Sequence, residues 1–309
     1  MTGNIPSPIE ITPNFYQLGT PPFPAYLSVG EDVMLIEGGT GPTAEIIIKQ
    51  IETLGINPDR IKYMALTHTH ADHIGAVPRI KLLWPHIKII SSAPGARILG
   101  NKNMLQEFLW VDNNIAQLMK SKGEINEPPA PLEEYDFNVD LVVEEGDRIE
   151  LGAGIVWTVY STPGHSPCHI ALYEEKERSL TIGDTTGFYV PKEDIFWPNY
   201  FDSLESYTNS IRKLSTLPAK RGVLSHNCVI TGSLNEYFSK AINATEAYHN
   251  ELIERINKGE DAENIAREKA EWVNSLTDIQ PFKVMLNLSR LLLRLSQKEA
   301  KKEGLFGGI

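Results

Sequence analysis

The segment Thr67-His68-Thr69-His70-Ala71-Asp72-His73 constrains this 309-residue chain more than any other. It directly follows an apolar run at 61–66 that predicts a buried β-strand. Three histidines and one aspartate in six positions cannot pack as apolar core, because burying them without partners costs several kcal/mol. Metal coordination resolves this: His68 and His70 leave the strand end together and converge on one ion. Asp72 and His73 then face a neighbouring position and offer ligands to a second ion.

Three further polar residues occupy similar places in the sequence. His165, Asp184 and His226 each follow an apolar strand pattern, and the three patterns end at residues 160, 182 and 224. A single histidine after a strand is more often a hydrogen-bonded turn residue. Four metal-competent strand ends in one chain, however, match the place where α/β folds build their sites.

The periodicity along the chain predicts an α/β body followed by a helical region. The pattern strand 33–36, helix to Gly55 and strand 61–66 is a βαβ unit, and residues 97–120 have a broad apolar helical face. Short strands and turns at the sheet edge are expected in the proline-rich first 30 residues. Asp202 with Glu205 three residues later predicts the capping box of a further helix. Three amphipathic helices are expected at 235–258, 260–275 and 281–303.

His-x-His-x-Asp-His followed by the three later strand-end residues resembles the full ligand set of the metallo-β-lactamase superfamily, over roughly residues 15–230. The resemblance implies two metal sites that share one carboxylate, with His68, His70 and His165 on the first metal, Asp72, His73 and His226 on the second, and Asp184 on both. The last histidine departs from the usual Pro-Gly-His-Gly turn, since Asn227 follows it here. Asparagine tolerates positive φ nearly as well as glycine, so His226 is retained as a ligand.

The resemblance also implies the fold and the domain arrangement. We expect an α/β fold, the αββα metallo-β-lactamase sandwich, with a C-terminal all-helical extension. The catalytic domain is predicted at 1–233, with a helical insertion at about 97–125. The extension at 234–309 is predicted to cap the active site.

The expected chemistry is hydrolysis. Two divalent ions lower the pKa of a shared water to about 7, and a metal-bridged hydroxide can then attack a carbonyl carbon. Asp72 and Asp184 are the predicted catalytic carboxylates, Asp72 because it can orient the hydroxide or take up its proton. Ligands of histidine and carboxylate suit zinc, iron and manganese alike, so the identity of the two metals stays open.

A thioester is the predicted substrate. The order and spacing from Gly183 through Phe201 and Pro218 into the helical tail is similar to the branch containing 2-aminobenzoylacetyl-CoA thioesterases and glyoxalase II-like enzymes. A thiolate, with a pKa of about 8.5, departs without a dedicated general acid. We therefore expect a small-molecule thioester, with acyl-CoA as the candidate. A lactonase and a mononuclear-iron persulfide dioxygenase of the same fold are the alternatives.

Basic residues on the last predicted helix suggest a substrate contact. Lys283, Arg290, Arg294 and Lys298 recur at helical spacing on one face. This face is either a phosphate clamp for coenzyme A or a solvated helix surface, which is the commoner case. Apolar residues of the same helix, including Val284 and Leu288, either dock it on the body or close a lid over the metals together with helix 97–120.

Composition excludes some classes of protein. With 29 Lys and Arg against 40 Asp and Glu, the net charge of −11 disfavours nucleic-acid binding. Two cysteines make no disulfide framework. We find neither a signal pattern nor a run of 18 apolar residues, so a cytoplasmic protein without membrane contact is expected. A homodimer is left open.

The remaining histidines and Cys228 are expected to lie outside the ligand set. His86 is predicted on a surface turn, His169 in the core or behind the ligands, and His249 on a solvated helix face. Cys228 is predicted to be a buried, inert thiol.

Overall fold

The computed structural model describes residues 5–133, 135, 137–227 and 229–307. Two β-sheets pack face to face, and helices cover their outer faces, so the predicted αββα arrangement is confirmed. The prediction for Cys228 lies outside the described residues. Within these residues, no helix combines the length and the apolar character needed to cross a bilayer.

The first sheet has seven strands in chain order: β1 (Ile9–Thr12), β2 (Phe15–Gly19), β3 (Pro24–Val29), β4 (Val33–Ile36), β5 (Ile61–Ala65), β6 (Lys88–Ser92) and β7 (Leu141–Val143). Strands β1 to β4 pair antiparallel, and β4 to β7 pair parallel. The edge-strand prediction for the first 30 residues holds for β1 and is wrong for β2 and for β3, and β3 lies between β2 and β4. Its apolar residues are buried on both faces, as an interior strand requires.

The second sheet has six strands: β8 (Arg148–Gly152), β9 (Ile155–Ser161), β10 (Ile170–Glu174), β11 (Ser179–Gly183), β14 (Arg221–Leu224) and β15 (Val229–Ile230). Its order is β15-β14-β11-β10-β9-β8, with β11 and β14 parallel. Between β11 and β14 the chain forms a separate hairpin of β12 (Phe188–Val190) and β13 (Ile195–Trp197). The parallel pair brings the carboxyl ends of β11 and β14 to the same edge of the sheet.

Nine α-helices complete the described part of the chain: α1 (Ala44–Thr53), α2 (Ala71–Ile74), α3 (Val77–Leu83), α4 (Ala93–Leu99), α5 (Lys102–Ser121), α6 (Leu204–Ser215), α7 (Leu234–Asn257), α8 (Ala262–Leu276) and α9 (Phe282–Glu299). The three C-terminal helices agree with the prediction to within a few residues. The predicted cap of α6 is wrong by one residue: Ser203, not Asp202, accepts from the backbone NH of Ser206. Extended backbone angles at Ser203 place its hydroxyl over the first turn.

The space between the sheets is filled by large side chains from both. Phe15 and Tyr26 of the first sheet contact Trp157 and its neighbours in the second, and all three are at most 2% exposed. The indole NH of Trp157 donates to Ser28 Oγ at 2.8 Å across this core. Burial of such aromatic area fixes the distance between the sheets, and therefore between the loops at their edges.

The C-terminal helices share one apolar cluster with the outer face of the second sheet. Buried polar contacts join α9 to the body: Tyr200 Oη lies 2.7 Å from Ser296 Oγ, and Glu299 Oε2 accepts from the backbone NH of Glu205 at 2.8 Å. The prediction that His249 is solvated is wrong. It is 4% exposed, because α7 turns this face toward the C-terminal residues around Phe306.

Candidate metal centre

Three imidazole nitrogens form a triangle at the edge of the two sheets. His68 Nε2 lies 3.0 Å from His70 Nδ1, and His165 Nε2 lies 3.2 Å from the first and 3.0 Å from the second. Two ligands of a tetrahedral zinc ion, each about 2.0 Å from it, lie about 3.3 Å apart. The triangle therefore has nearly the dimensions of three corners of such a site.

A second group lies beside the first. Asp72 Oδ1 is 3.6 Å from His73 Nε2, and Asp72 Oδ2 is 3.7 Å from His226 Nε2. The ligand atoms of these three residues all lie within 4.8 Å of one another. Helix α2 is only four residues long and carries both Asp72 and His73. Together with His226 these two residues form a group of candidate ligands beside the first group.

Asp184 lies between the two groups. Its Oδ2 is 3.4 Å from His165 Nε2 of the first group and 3.4 Å from His73 Nε2 of the second. The same oxygen lies 3.7 Å from His68 Nε2 and from His226 Nε2. One carboxylate oxygen thus reaches nitrogens of both groups, which is the position a shared ligand must occupy.

The far nitrogen of most of these histidines is held by the protein. His68 Nδ1 lies 3.1 Å from Thr67 Oγ1, His165 Nδ1 lies 2.9 Å from the Asn199 carbonyl, and His226 Nδ1 lies 2.6 Å from the Pro22 carbonyl. A donor–acceptor contact at one ring nitrogen sets the tautomer and turns the other nitrogen toward the metal position. In all three residues the nitrogen left for a metal is Nε2.

Glu37 is a site residue that the sequence reasoning missed. Its Oε2 lies 3.1 Å from His73 Nδ1, and its Oε1 accepts from Thr67 Oγ1 and from Ser225 Oγ at 2.7 Å. The side chain is buried and the backbone has a φ of 71°. The available signal was its position directly after β4, at the same kind of strand end as the histidines.

His169 lies behind the ligands, as predicted. Its Nε2 accepts from the backbone NH of Asp184 at 3.0 Å, so its Nδ1 carries the proton and donates to Thr162 Oγ1 at 2.7 Å. Burial lowers the pKa of His169 to about 3, which keeps it neutral. Gly183 makes this contact possible: its φ is 61°, and a Cβ there would lie 2.5 Å from His169 Nε2.

The electrostatics of the first histidine group and of Asp184 leave their donor atoms ready for a cation. Burial lowers the pKa of His68 far below its usual range, that of His70 to about 3 and that of His165 to about 4. Burial opposes ionisation of Asp184, but His226 and His165 outweigh it and hold the pKa of the carboxyl well below its usual range. Neutral imidazoles and ionised carboxylates are the protonation states that bind divalent metals.

His73 provides a further test of whether the donor set fits a metal ion. Its Nε2 is buried and, in the part of the chain that the structure describes, has no hydrogen-bond partner, although Asp184 Oδ2 lies 3.4 Å away. Burial would lower the pKa of His73, but the carboxylates of Asp72 and Glu37 outweigh it and raise that pKa well above the usual value. A buried, unpaired nitrogen among carboxylates is what a metal ligand looks like when only protein atoms surround it. The donor set therefore fits a metal site.

A cavity of about 180 Å³ opens over the centre. Strand-end loops and the β12–β13 hairpin form one wall, and α5 with the segment from Ile279 into α9 forms the other. Its walls are mostly apolar, and the lining side chains other than the ligand candidates include Phe108, Val111, Phe188, Trp197, Asn199, Phe201, Ile279, Gln280, Val284, Met285 and Leu288. Val284 and Leu288 thus line the cavity over the candidate metal centre together with residues of α5, whereas Leu292 and Leu295 of the same helix are buried in the core.

The predicted substrate-binding residues lie elsewhere on α9. Lys283 and Arg294 are exposed, and Arg290 pairs with Glu263 Oε1 at 2.5 Å and with Asn287 Oδ1 at 2.9 Å. Arg290 and Arg294 line a separate surface groove beside Glu263. The structure therefore brings the seven ligand candidates together and leaves these three cations outside the cavity wall. Their role as a clamp remains a prediction.

His86, Cys168 and Asn227 lie outside the set of ligand candidates. His86 is exposed, as predicted, and its Nε2 lies 3.2 Å from the Pro58 carbonyl. Cys168 is a buried free cysteine close to Ser166 and Thr69. Asn227 has a φ of 70°, so it takes the positive φ that was expected of it.

A comparison with family models matches residues 25–226 to the metallo-beta-lactamase superfamily. The match contains all seven ligand candidates and ends at the last of them. The chain belongs to the metallo-beta-lactamase superfamily. Its two-sheet architecture and the edge position of the donor atoms agree with this assignment.

Relatives with curated names are distant. The chain is 26% identical over 214 residues to the "Probable metallo-hydrolase YflN" of Bacillus subtilis, covering 64% of this chain and 76% of that protein. It is 26% identical over 253 residues to a hydroxyacylglutathione hydrolase of Pseudomonas aeruginosa, covering 81% of this chain and 74% of that protein. Sequence identities of 26% assign no substrate to this chain.

Solved structures share the fold. A metallo-beta-lactamase of Cronobacter sakazakii with a HARLDQ motif superposes with a TM-score of 0.56 at 20% identity, covering 79% of this chain and 94% of that one. The FEZ-1 metallo-beta-lactamase of Legionella gormanii also gives a TM-score of 0.56 at 20% identity, covering 80% and 97%. At this identity the likeness shows the common fold.

Proposed function

We propose that this protein is a dinuclear metal-dependent hydrolase that cleaves thioesters, with an acyl-CoA as the substrate class. The observation that carries the proposal is the position of Asp184, whose Oδ2 lies 3.4 Å from a nitrogen of each histidine group. His68, His70 and His165 would hold one metal, Asp72, His73 and His226 the other, and Asp184 both. A complete second group favours two ions over the single iron of a dioxygenase.

Two divalent ions held there would supply a water of lowered pKa and an electrostatic partner for the carbonyl oxygen of the substrate. The other roles in the proposed reaction belong to side chains of the protein itself. Asp184 would keep the two groups at a fixed separation, and Asp72, which lines the cavity, would accept a proton from the attacking water. The apolar walls exclude bulk water from the acyl group, which strengthens every charge interaction inside.

The cavity supports a thioester over an ordinary ester. Among its described lining residues there is no Lys, Arg, Tyr or Cys, so none of these side chains is available to protonate a leaving group. A thiolate with a pKa of about 8.5 departs unprotonated, whereas an alkoxide, whose conjugate acid resembles water with a pKa of about 15.7, needs a proton. The name of the hydroxyacylglutathione hydrolase relative points to the same substrate class, since an acylglutathione is a thioester.

The same lining supports an apolar acyl group. A cavity of about 180 Å³ takes an acyl group but not a whole coenzyme, so the thiol carrier would extend out of its mouth. We propose that α5 and the segment from Ile279 into α9 close over the acyl group as a cap. Zinc, iron and manganese all suit the donor set.

The proposal is tested by elemental analysis of the purified protein and by a substrate panel of acyl-CoA, acylglutathione and lactone. We expect about two metal ions per chain and thioester hydrolysis that exceeds lactone hydrolysis. Asp184→Asn should lower kcat at least about 100-fold and reduce bound metal. His86→Ala, at an exposed histidine, is the control. One metal per chain, or faster cleavage of lactones, would refute the dinuclear thioesterase.

A further inference from the structure

Gln280 is the polar side chain that the C-terminal region brings to the cavity wall. It lies in the short connection between α8 and α9, and its Nε2 donates to Asp72 Oδ2 at 3.3 Å. Its Oε1 is buried and has no hydrogen-bond partner among the described residues. An ionised carboxylate only accepts, so Asp72 requires the amide nitrogen to face it. The atom left unpaired is therefore the carbonyl oxygen, an acceptor.

Within the described part of the chain, the neighbouring wall supplies no donor to this oxygen. Ile279, Val284 and Phe108 contribute apolar surface. A buried acceptor without a donor carries a desolvation cost, which a donor on a bound molecule would remove.

We propose that Gln280 is a specificity-determining residue that accepts a hydrogen bond from a hydroxyl or N–H group on the acyl part of the substrate. The inference rests on the proposed thioester hydrolysis and narrows its substrate class. The acyl group is apolar, in keeping with the cavity wall, and carries one donor close to the reacting carbonyl. This donor must lie close to the carbonyl because Gln280 contacts Asp72, which belongs to the candidate metal centre.

A buried acceptor also selects against the wrong substrate. An acyl group without a donor leaves Gln280 Oε1 unpaired in the closed complex, whereas one with a donor satisfies it. Sites that hydrogen-bond a substrate hydroxyl discriminate more strongly than apolar pockets that merely tolerate it. The expected signature is thus a ratio between two substrates that differ by one hydroxyl.

The experiment measures kcat/KM for two matched pairs of N-acetylcysteamine thioesters: phenylacetyl with 2-hydroxyphenylacetyl, and 3-phenylpropanoyl with 3-hydroxy-3-phenylpropanoyl. We expect the hydroxylated member of at least one pair to be preferred about tenfold or more. Gln280→Met, which keeps the length and removes the acceptor, should bring that ratio to about one. Gln117→Met, at an exposed glutamine of α5, is the matched control and should leave it unchanged.

A second measurement separates this inference from the proposed function. Calorimetric dissociation constants of the four product acids should show the same preference in the wild type and its loss in Gln280→Met, whether or not thioesters are cleaved. Failure to cleave any thioester refutes the proposed function alone. If Gln280→Met lowers kcat/KM equally for both members of a pair, Gln280 is a positioning residue for Asp72 and the inference is overturned. A wild-type ratio of kcat/KM values below about two in both pairs also overturns the inference. Gln280→Ala serves if the methionine variant does not fold.

Discussion

The two walls of the cavity differ in what they contribute. Loops at the strand ends and the short helix α2 carry all seven ligand candidates, whereas the described cavity lining from α5 and from the segment Ile279 into α9 consists of apolar side chains and one amide. The ligand wall is held by buried backbone and by contacts such as Glu37 to His73. The helical wall is held by packing and by a few contacts at the far end of α9. We therefore expect metal binding and acyl selection to be separable, except at Gln280, whose amide donates to Asp72.

The largest effect is expected within the ligand wall, at Glu37. Glu37→Gln keeps the shape of the side chain but removes the charge that faces His73. We expect metal affinity at the second group to fall about 10- to 100-fold, because partners behind a ligand orient it and raise its basicity. Competition with a chelator measures this. Glu31→Gln, at an exposed glutamate, is the control, and an affinity within twofold of the wild type would contradict the assignment.

The second largest effect is expected on stability, where α9 contacts the start of α6. Glu299 is 2% exposed and accepts from the backbone of Glu205 and from Ser203 Oγ at the start of α6. Glu299→Ala leaves these donors without their partner and should lower the free energy of unfolding by about 2 kcal/mol. Urea denaturation measures the change, with the exposed Glu303→Ala as control. A loss under about 0.5 kcal/mol would show that the Glu299 contacts do not contribute to the docking of α9.

A smaller effect is expected on the helical wall. Leu288→Ala enlarges the acyl cavity, so kcat/KM should shift about tenfold toward acyl chains two or three carbons longer. Leu291→Ala is a matched control, since Leu291 is also half-buried on α9 but packs on the core outside the cavity. The metal content should be the same in both variants. A change in metal content for Leu288→Ala would break the separation between the two walls.

The smallest effect belongs to the outer face of α9. Lys283→Glu and Arg294→Glu should raise KM for a CoA thioester about two- to fivefold and leave an N-acetylcysteamine thioester unchanged, because exposed charges are screened by solvent and salt. Lys301→Glu is the control for net charge. Arg290→Glu also breaks the pair with Glu263, so it tests stability as well as binding. Equal effects on both thioesters would exclude a phosphate clamp.

Much of the centre was predictable because its ligands follow strands with clear local patterns. His68 to His73 are contiguous, and each later ligand comes directly after a short apolar run. Glu37 was missed although it also follows a strand, because a single carboxylate after a strand carries no signal by itself. Its role depends on contacts with residues 30 and 188 positions away along the chain.

In the C-terminal helices, too, local sequence patterns did not predict which side chains are buried or what they contact. Periodicity predicted three helices and their lengths, but not the surroundings of a given face. His249 was expected in solvent, and the packing of the C-terminal residues buries it. Basic residues of α9 share a face by spacing alone, yet only the docked helix shows that Val284 and Leu288 line the cavity while Arg290 and Arg294 line another groove.

By itself the sequence indicated an α/β body, the order of the helices and the polar residues at the strand ends, because periods of two and 3.6 and the chemistry at strand ends are local properties of the chain. The αββα sandwich and the grouping of those residues into two metal sites were implied by the family resemblance. The tertiary structure alone decided which atoms meet. Gln280 and Asp72 are 208 residues apart along the chain, and Pro22 and His226 are 204 apart. Such contacts depend on how sheets and helices pack, and no local pattern in the chain encodes that packing.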